Sequence, residues 1–180
     1  MILDALQEAL SNLDWDFVTP SRIDYSGATP VKIAEQTWQE RLFAYEIYHQ
    51  LRLLWAEHPA LRAHCVIHAE VRKGYQNIAN FDYMPDFLFH LPQPGQNRAV
   101  AEVKLAARSS TDIAADLTKL CHFHEEFEYD DLIEILVGSD HHFKRVIPAI
   151  SYSTGTQIHL LCLSTDTKKT THGIIKYRDA

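Results

Sequence analysis

Apolar residues recur along this chain in two rhythms. Over residues 2–13, Leu3, Leu6, Leu10 and Leu13 fall three or four apart. That is the spacing of a helix that buries one stripe. A loop containing Thr19, Pro20, Ser26 and Gly27 follows. Thr29-Pro30 then reads as an N-cap and first-turn proline. From there to His58, Ile33, Trp38, Leu42, Tyr45, Leu51, Leu54 and Trp55 predict one long helix, stopped or kinked at Pro59.

The rhythm then changes to a period of two. His64–Arg72 alternates apolar and polar residues, Met84–Leu91 is apolar with alternate polar positions, and Ala99–Ala106 alternates around Glu102 and Lys104. These three runs predict strands. Pro92–Arg98 (PQPGQNR) is turn chemistry, so the second and third strands are expected to form a hairpin. Ser109-Ser110-Thr111 offer caps for a helix from about Asp112 to Glu126. Leu132–Val137 predicts a buried strand ended by Gly138, and Ile158–Leu163 another. Residues 140–152 fit no single pattern, and Gly173–Tyr177 reads as a last short strand. The central order is helix, three strands, helix, strand, which is an α/β pattern.

Composition narrows the picture. At 180 residues, 46% of them hydrophobic, the chain suits one domain with a sizeable core. We read residues 1–180 as a single domain, with an N-terminal helix and loop over 1–28 and a core over about 30–165. The formal net charge of −7 argues against a protein that coats nucleic acid by bulk positive charge. It does not argue against a site that must concentrate carboxylates. Cys65, Cys121 and Cys162 are odd in number, widely spaced and flanked by apolar residues, as expected for reduced thiols in a reducing compartment. The first residues carry acids where a signal peptide needs bases, and no stretch approaches the roughly 18 apolar residues of a membrane span. A cytoplasmic protein with no membrane partner is expected.

One constellation carries chemistry. Pro85-Asp86 lies in the second strand run and Glu102-Val103-Lys104 in the third, with fifteen residues between Asp86 and Glu102. If the hairpin forms, the two acids converge at one edge of the sheet. Glu102 and Lys104, two apart on a strand, share a face. Two carboxylates suit magnesium, which prefers oxygen ligands and keeps several waters. A lysine beside the ion can position a water or offset charge in a phosphoryl transition state.

From about residue 30 to 140 the chain resembles the PD-(D/E)xK, restriction-endonuclease-like superfamily. The matching letters are Pro85-Asp86 and Glu102-Val103-Lys104. The resemblance implies an α-β-β-β-α-β core, with a central mixed sheet flanked by helices and here an N-terminal helical extension. It implies that Asp86 and Glu102 bind Mg2+, with Mn2+ as a substitute, joined by the Val103 backbone carbonyl. Lys104 would serve the nucleophilic water. Glu46, in FAYEIYHQLR, stands where many members carry a helix glutamate for the metal. Lys119, in DLTKL, is the candidate polar residue on the helix after the motif.

These assignments compete with plainer readings. Asp86 could be a strand-end turn residue, and Glu102 and Lys104 an exposed charge pair, although Val100, Ala101, Val103 and Leu105 look like a central strand. Glu46 and Lys119 could be solvated helix residues. Glu70 reads as a surface position rather than a second ligand. His122-Phe123-His124 and His141-His142 suggest zinc, but zinc needs three or four converging ligands. On a helix His122 and His124 point to different sides.

The resemblance implies a metal-dependent endonuclease acting on DNA, with RNA left open, in restriction, defence, mobile-element or repair settings. No base-reading module is visible, so a homodimer, a loop or another subunit of a larger complex would have to supply specificity. The alternative is a non-catalytic relative that keeps the fold and binds nucleic acid or a protein partner. A metal hydrolase that combines histidines with these carboxylates is a third reading.

Overall fold

The computed structural model describes residues 1–19, 22–24, 27, 29, 31–33, 38–70, 83–91 and 96–178. Fourteen elements follow one another among them. They are α1 (Ile2–Ser11), α2 (Trp15–Val18), β1 (Arg22–Asp24), β2 (Val31–Ile33), α3 (Glu40–Glu57), α4 (Pro59–His64), β3 (Val66–Ala69), β4 (Phe87–His90), β5 (Asn97–Leu105), α5 (Ser110–Phe127), β6 (Asp131–Gly138), α6 (Asp140–Ile150), β7 (Thr156–Ser164) and β8 (Thr170–Tyr177). The chain is α/β, built on a six-stranded mixed sheet flanked by helices. The strand order is β3-β4-β5-β6-β7-β8. The central β5-β6-β7 ladders are parallel and the outer pairings antiparallel.

Two apolar layers hold this sheet. Side chains alternate across it, so Ala101, Val103, Ile133, Ile135, Leu161 and Leu163 face a core closed by α1, α3 and α4. Leu88, Val100, Leu132, Leu136, Leu160 and Cys162 face a second core closed by α5 and α6. The parallel strands are apolar on both faces because both are covered. Cys65, Cys121 and Cys162 are all buried. Among the described residues no helix is long and apolar enough to cross a membrane.

Several elements fall where the sequence patterns place them. β4 and β5 pair antiparallel, though the turn residues 92–95 between them lie outside the described residues. Ser109 caps α5 by accepting the Asp112 N–H at 3.1 Å. β6 ends at Gly138, and β8 includes Gly173–Tyr177. The ambiguous stretch becomes α6, capped by Ser139 and carrying Pro148 in its last turn. The first strand is shorter than expected, and Arg72 lies outside the described residues.

The long helix is a correction. It does not start at Thr29-Pro30 but at Glu40, and Val31–Ile33 instead pairs antiparallel with Arg22–Asp24. Ile33 and Trp38 are five apart, which breaks helical spacing. The regular stripe begins at Phe43 and continues through Ile47, Leu51, Leu54 and Trp55, all buried. Val31-Lys32-Ile33 has the β-branched alternation of a strand. Pro59 opens α4 at its first position, where its missing N–H has no intrahelical partner to lose.

Candidate active site

The site arises where β5 outruns its neighbour. At this end the last β4–β5 pair is Phe87 with Ala101, and β5 continues through Leu105. Backbone donors beyond that pair need partners of another kind. The Val103 N–H donates to Asp86 Oδ2 at 2.7 Å, and the Leu105 N–H to Glu40 Oε2 at 3.3 Å. Two carboxylates therefore take the places of strand carbonyls. Asp86, one residue before β4, comes opposite Glu102 when the register is extended by one step. Its own carbonyl accepts the Glu70 N–H at 3.3 Å, tying it to the end of β3. A strand residue sends its N–H and C=O to the same side, so the Val103 carbonyl faces the Asp86 edge.

Glu102 and Lys104 project toward α5, on the face that carries Val100 and Leu136. Asp116 and Lys119, one helical turn apart on α5, meet them. Lys119 Nζ lies 3.0 Å from Glu102 Oε1 and 2.9 Å from Asp116 Oδ1. Lys104 Nζ lies 2.8 Å from Asp116 Oδ2 and 3.1 Å from Glu40 Oε1. The ion pairs form an unbroken chain: Glu40, Lys104, Asp116, Lys119, Glu102. Glu134, the cross-strand partner of Glu102 on β6, sits beside it, fully buried.

Burial and crowding shift the acids upward. The Glu102 carboxyl is pushed up to about 8, chiefly by burial and next by the charge on Asp86, with Lys119 opposing. Asp86 is raised by burial, and the Val103 N–H pulls it back. Glu134 is raised well above the carboxylate range by burial, then by Asp116 and Glu102. For Lys104, burial works against the charge, but Asp116 and Glu40 outweigh it and raise its pKa. Lys119 is likewise raised, by Glu102 and Asp116 against burial. Both lysines are thus held as ammonium donors rather than bases.

Of the residues read from sequence, Asp86, Glu102, Lys104 and Lys119 come together here, with the Val103 backbone between them. Glu46 does not join them. It is buried toward the N-terminal helices, where Oε1 accepts the Asp14 N–H at 3.2 Å and the Gln50 amide at 2.7 Å. Glu40 is the acid that α3 brings to the cluster. Glu70 pairs with Arg41 at 3.4 Å, and both line a shallow cleft with Glu40, Ala44, Met84 and Asp86. His124 bonds the Tyr129 carbonyl and His142 bonds Ser139, each a local structural contact.

Three members of the cluster escaped the sequence reading: Glu40, Asp116 and Glu134. Each had a signal. Glu134 is the one charge inside the apolar run Leu132–Val137. Asp116 stands three before Lys119, one turn away on the same helix. Glu40 opens α3 and shows only once the helix start is placed.

The donors are hard oxygens of the kind magnesium takes, and Glu134 adds two buried oxygens with no hydrogen-bond partner among the described residues. The residues therefore fit a divalent cation in donor chemistry. Their arrangement is not that of a closed cage. Among the described residues, no three His, Cys, Asp or Glu side chains gather tightly enough to hold a metal ion as they stand. Neither a family model, nor a curated protein, nor a solved structure matches this chain.

Proposed function

We propose that this chain is a magnesium-dependent nuclease of the PD-(D/E)xK, restriction-endonuclease-like kind. One observation carries the reading: Asp86 is bonded to the backbone between Glu102 and Lys104, so two acids and an amine share the end of β5. The helix, three strands, helix and strand from α3 to β6, with α4 between the first two, agree with the order of elements that this superfamily uses.

Asp86 and Glu102, with the Val103 carbonyl, would hold the ion. A bound magnesium ion polarises a phosphoryl oxygen and makes an attacking water more acidic. The residues of the chain do the rest. Lys104 and Lys119 place two ammonium groups where negative charge grows in the transition state. Asp116 and Glu40 hold Lys104 in place, and Asp116 also holds Lys119. Glu40, which contacts Lys104 and the Leu105 N–H, would take the helix-acid place that the resemblance gave to Glu46. By the same resemblance the products carry a 5′-phosphate and a 3′-hydroxyl.

A second reading, a non-catalytic nuclease-fold subunit, is favoured by one observation. Each lysine is already bound between two carboxylates, and the chain is acidic overall. One experiment separates the two. Plasmid and single-stranded DNA are incubated with the protein in Mg2+ or Mn2+, beside Asp86→Ala and Lys104→Ala. Cleavage by wild type that falls by about 100-fold or more in both variants is expected, the scale of losing a transition-state charge partner. Equal behaviour of all three proteins would remove the basis for an enzyme.

A further inference from the structure

Glu134 is the group that the ion-pair network leaves out. It lies mid-strand in β6, within an otherwise apolar run, and is 0% exposed. Neither of its carboxylate oxygens has a hydrogen-bond partner among the described residues. The other four acids all have donors. Glu40 has Lys104 and the Leu105 N–H, Asp86 has the Val103 N–H, Glu102 has Lys119, and Asp116 has both lysines.

Position says what Glu134 faces. Its partner across the parallel ladder is Glu102. Neighbouring strands stand about 4.8 Å apart, so the two side chains rise side by side toward α5. Leu132 and Leu136, two residues to either side of Glu134 on β6, pack in the layer closed by α5, so Glu134 rises on the same face as Glu102 and Lys104. Its carboxyl is therefore aimed into the cluster and not into the apolar layer alone.

Charge and solvation point the same way. Five acids, Glu40, Asp86, Glu102, Asp116 and Glu134, lie near two ammonium groups, Lys104 and Lys119, and the lysines pair with Glu40, Asp116 and Glu102 but not with Glu134. A buried acid without a partner costs free energy in either protonation state, because water satisfies it in the unfolded chain. Leucine would fill the same place in LIEILV without that cost.

We propose that Glu134 is a third carboxylate of the divalent-cation site. It would meet the ion from β6 through a water, since the three acids do not converge tightly enough to ligate it together as they stand, while Asp86 and Glu102 meet it from the β4–β5 side. The inference rests on the metal-dependent reading given above. It adds that the ion lies deep, between β5 and β6 under α5, rather than only at the Asp86 edge. Magnesium needs few protein ligands, so a third acid acts on affinity and depth more than on whether binding occurs.

Titration calorimetry of the full chain with Mn2+ tests this without reference to cleavage. Wild type, Glu134→Gln and Asp86→Asn are compared, with metal-free melting temperatures measured in parallel. Glu134→Gln is expected to bind Mn2+ at least tenfold more weakly while melting no lower than wild type without metal. Glu134→Leu suits the apolar run, so it serves as a second folded variant and should weaken binding equally. If both Glu134 variants bind Mn2+ as wild type does while Asp86→Asn binds weakly, Glu134 is not a ligand and the inference fails alone. Absence of Mn2+ binding by wild type itself would instead remove the reading on which the inference stands.

Discussion

At the scale of single residues, the site is governed by acids held out of water. Glu102 illustrates the consequence. Its folded pKa of about 8 lies above the ordinary 4.5, so between those values the folded chain holds a proton that the unfolded chain has lost. Stability must then fall as pH rises from about 4.5 to 8. Asp86 and Glu134 are shifted the same way and add to the trend. The two lysines are raised from an already high value, so they contribute no slope in this window. With chelator present, wild type should melt about 5 °C or more lower at pH 8 than at pH 5. Glu102→Gln should remove part of that difference, the rest staying with Asp86 and Glu134. A wild-type melting temperature that rises over this range would contradict the burial argument. At this scale the shared face of Glu102 and Lys104 was legible, because a spacing of two on a strand puts groups on one face whatever the fold, and the meeting with Asp86 followed from the expected hairpin. The sequence misled on Glu46. The phase of a helix relative to the sheet depends on packing, and that phase decides which glutamate of α3 looks inward at the site.

Elements show how local rules were honoured and where they competed. The caps at Ser109 and Ser139, the strand alternation and the Gly138 stop all acted within a few residues and were readable in advance or consistent with local chemistry. The β1–β2 pair was hidden because its strands have three residues each and the nearby proline also suits a helix start. Residues 140–152 were unreadable for a similar reason: Pro148 signals a break, yet in the last turn of α6 it is tolerated. One turn carries a sharper constraint. Gly155, between α6 and β7, has φ of +132°, and a Cβ there would overlap the Tyr177 carbonyl oxygen on β8. Gly155→Ala should therefore lose at least about 2 kcal/mol, combining backbone strain with a clash against an atom that cannot yield. Urea unfolding measures it, and a loss below about 0.5 kcal/mol would mean that the β7–β8 end relaxes freely.

For the whole molecule, the division into two apolar layers separates stability from chemistry. The acids and lysines lie on the α5 side and at the strand ends, whereas α1 packs on the opposite layer through Ile2, Leu6 and Leu10. Leu6→Ala should cost about 2–5 kcal/mol, the range for a fully buried leucine. Measured well below its melting temperature, the variant should keep the Mn2+ affinity of wild type; a parallel loss would show the two layers to be mechanically joined. The layering itself was legible, since apolar runs on both faces of β5, β6 and β7 require cover on both sides. The last strand was legible only from Gly173, because Thr170, Thr171 and His172 are polar; β8 starts at Thr170 and pairs antiparallel with β7 across the turn 165–169. The stunted β4 has one more consequence. Had the hairpin zipped four steps further, main-chain carbonyls would have claimed the amides of Val103 and Leu105, and Asp86 and Glu40 would have had no seat. The notch in the sheet is thus a reserved place, and any redesign that perfects the ladder there should evict the acids it was meant to support.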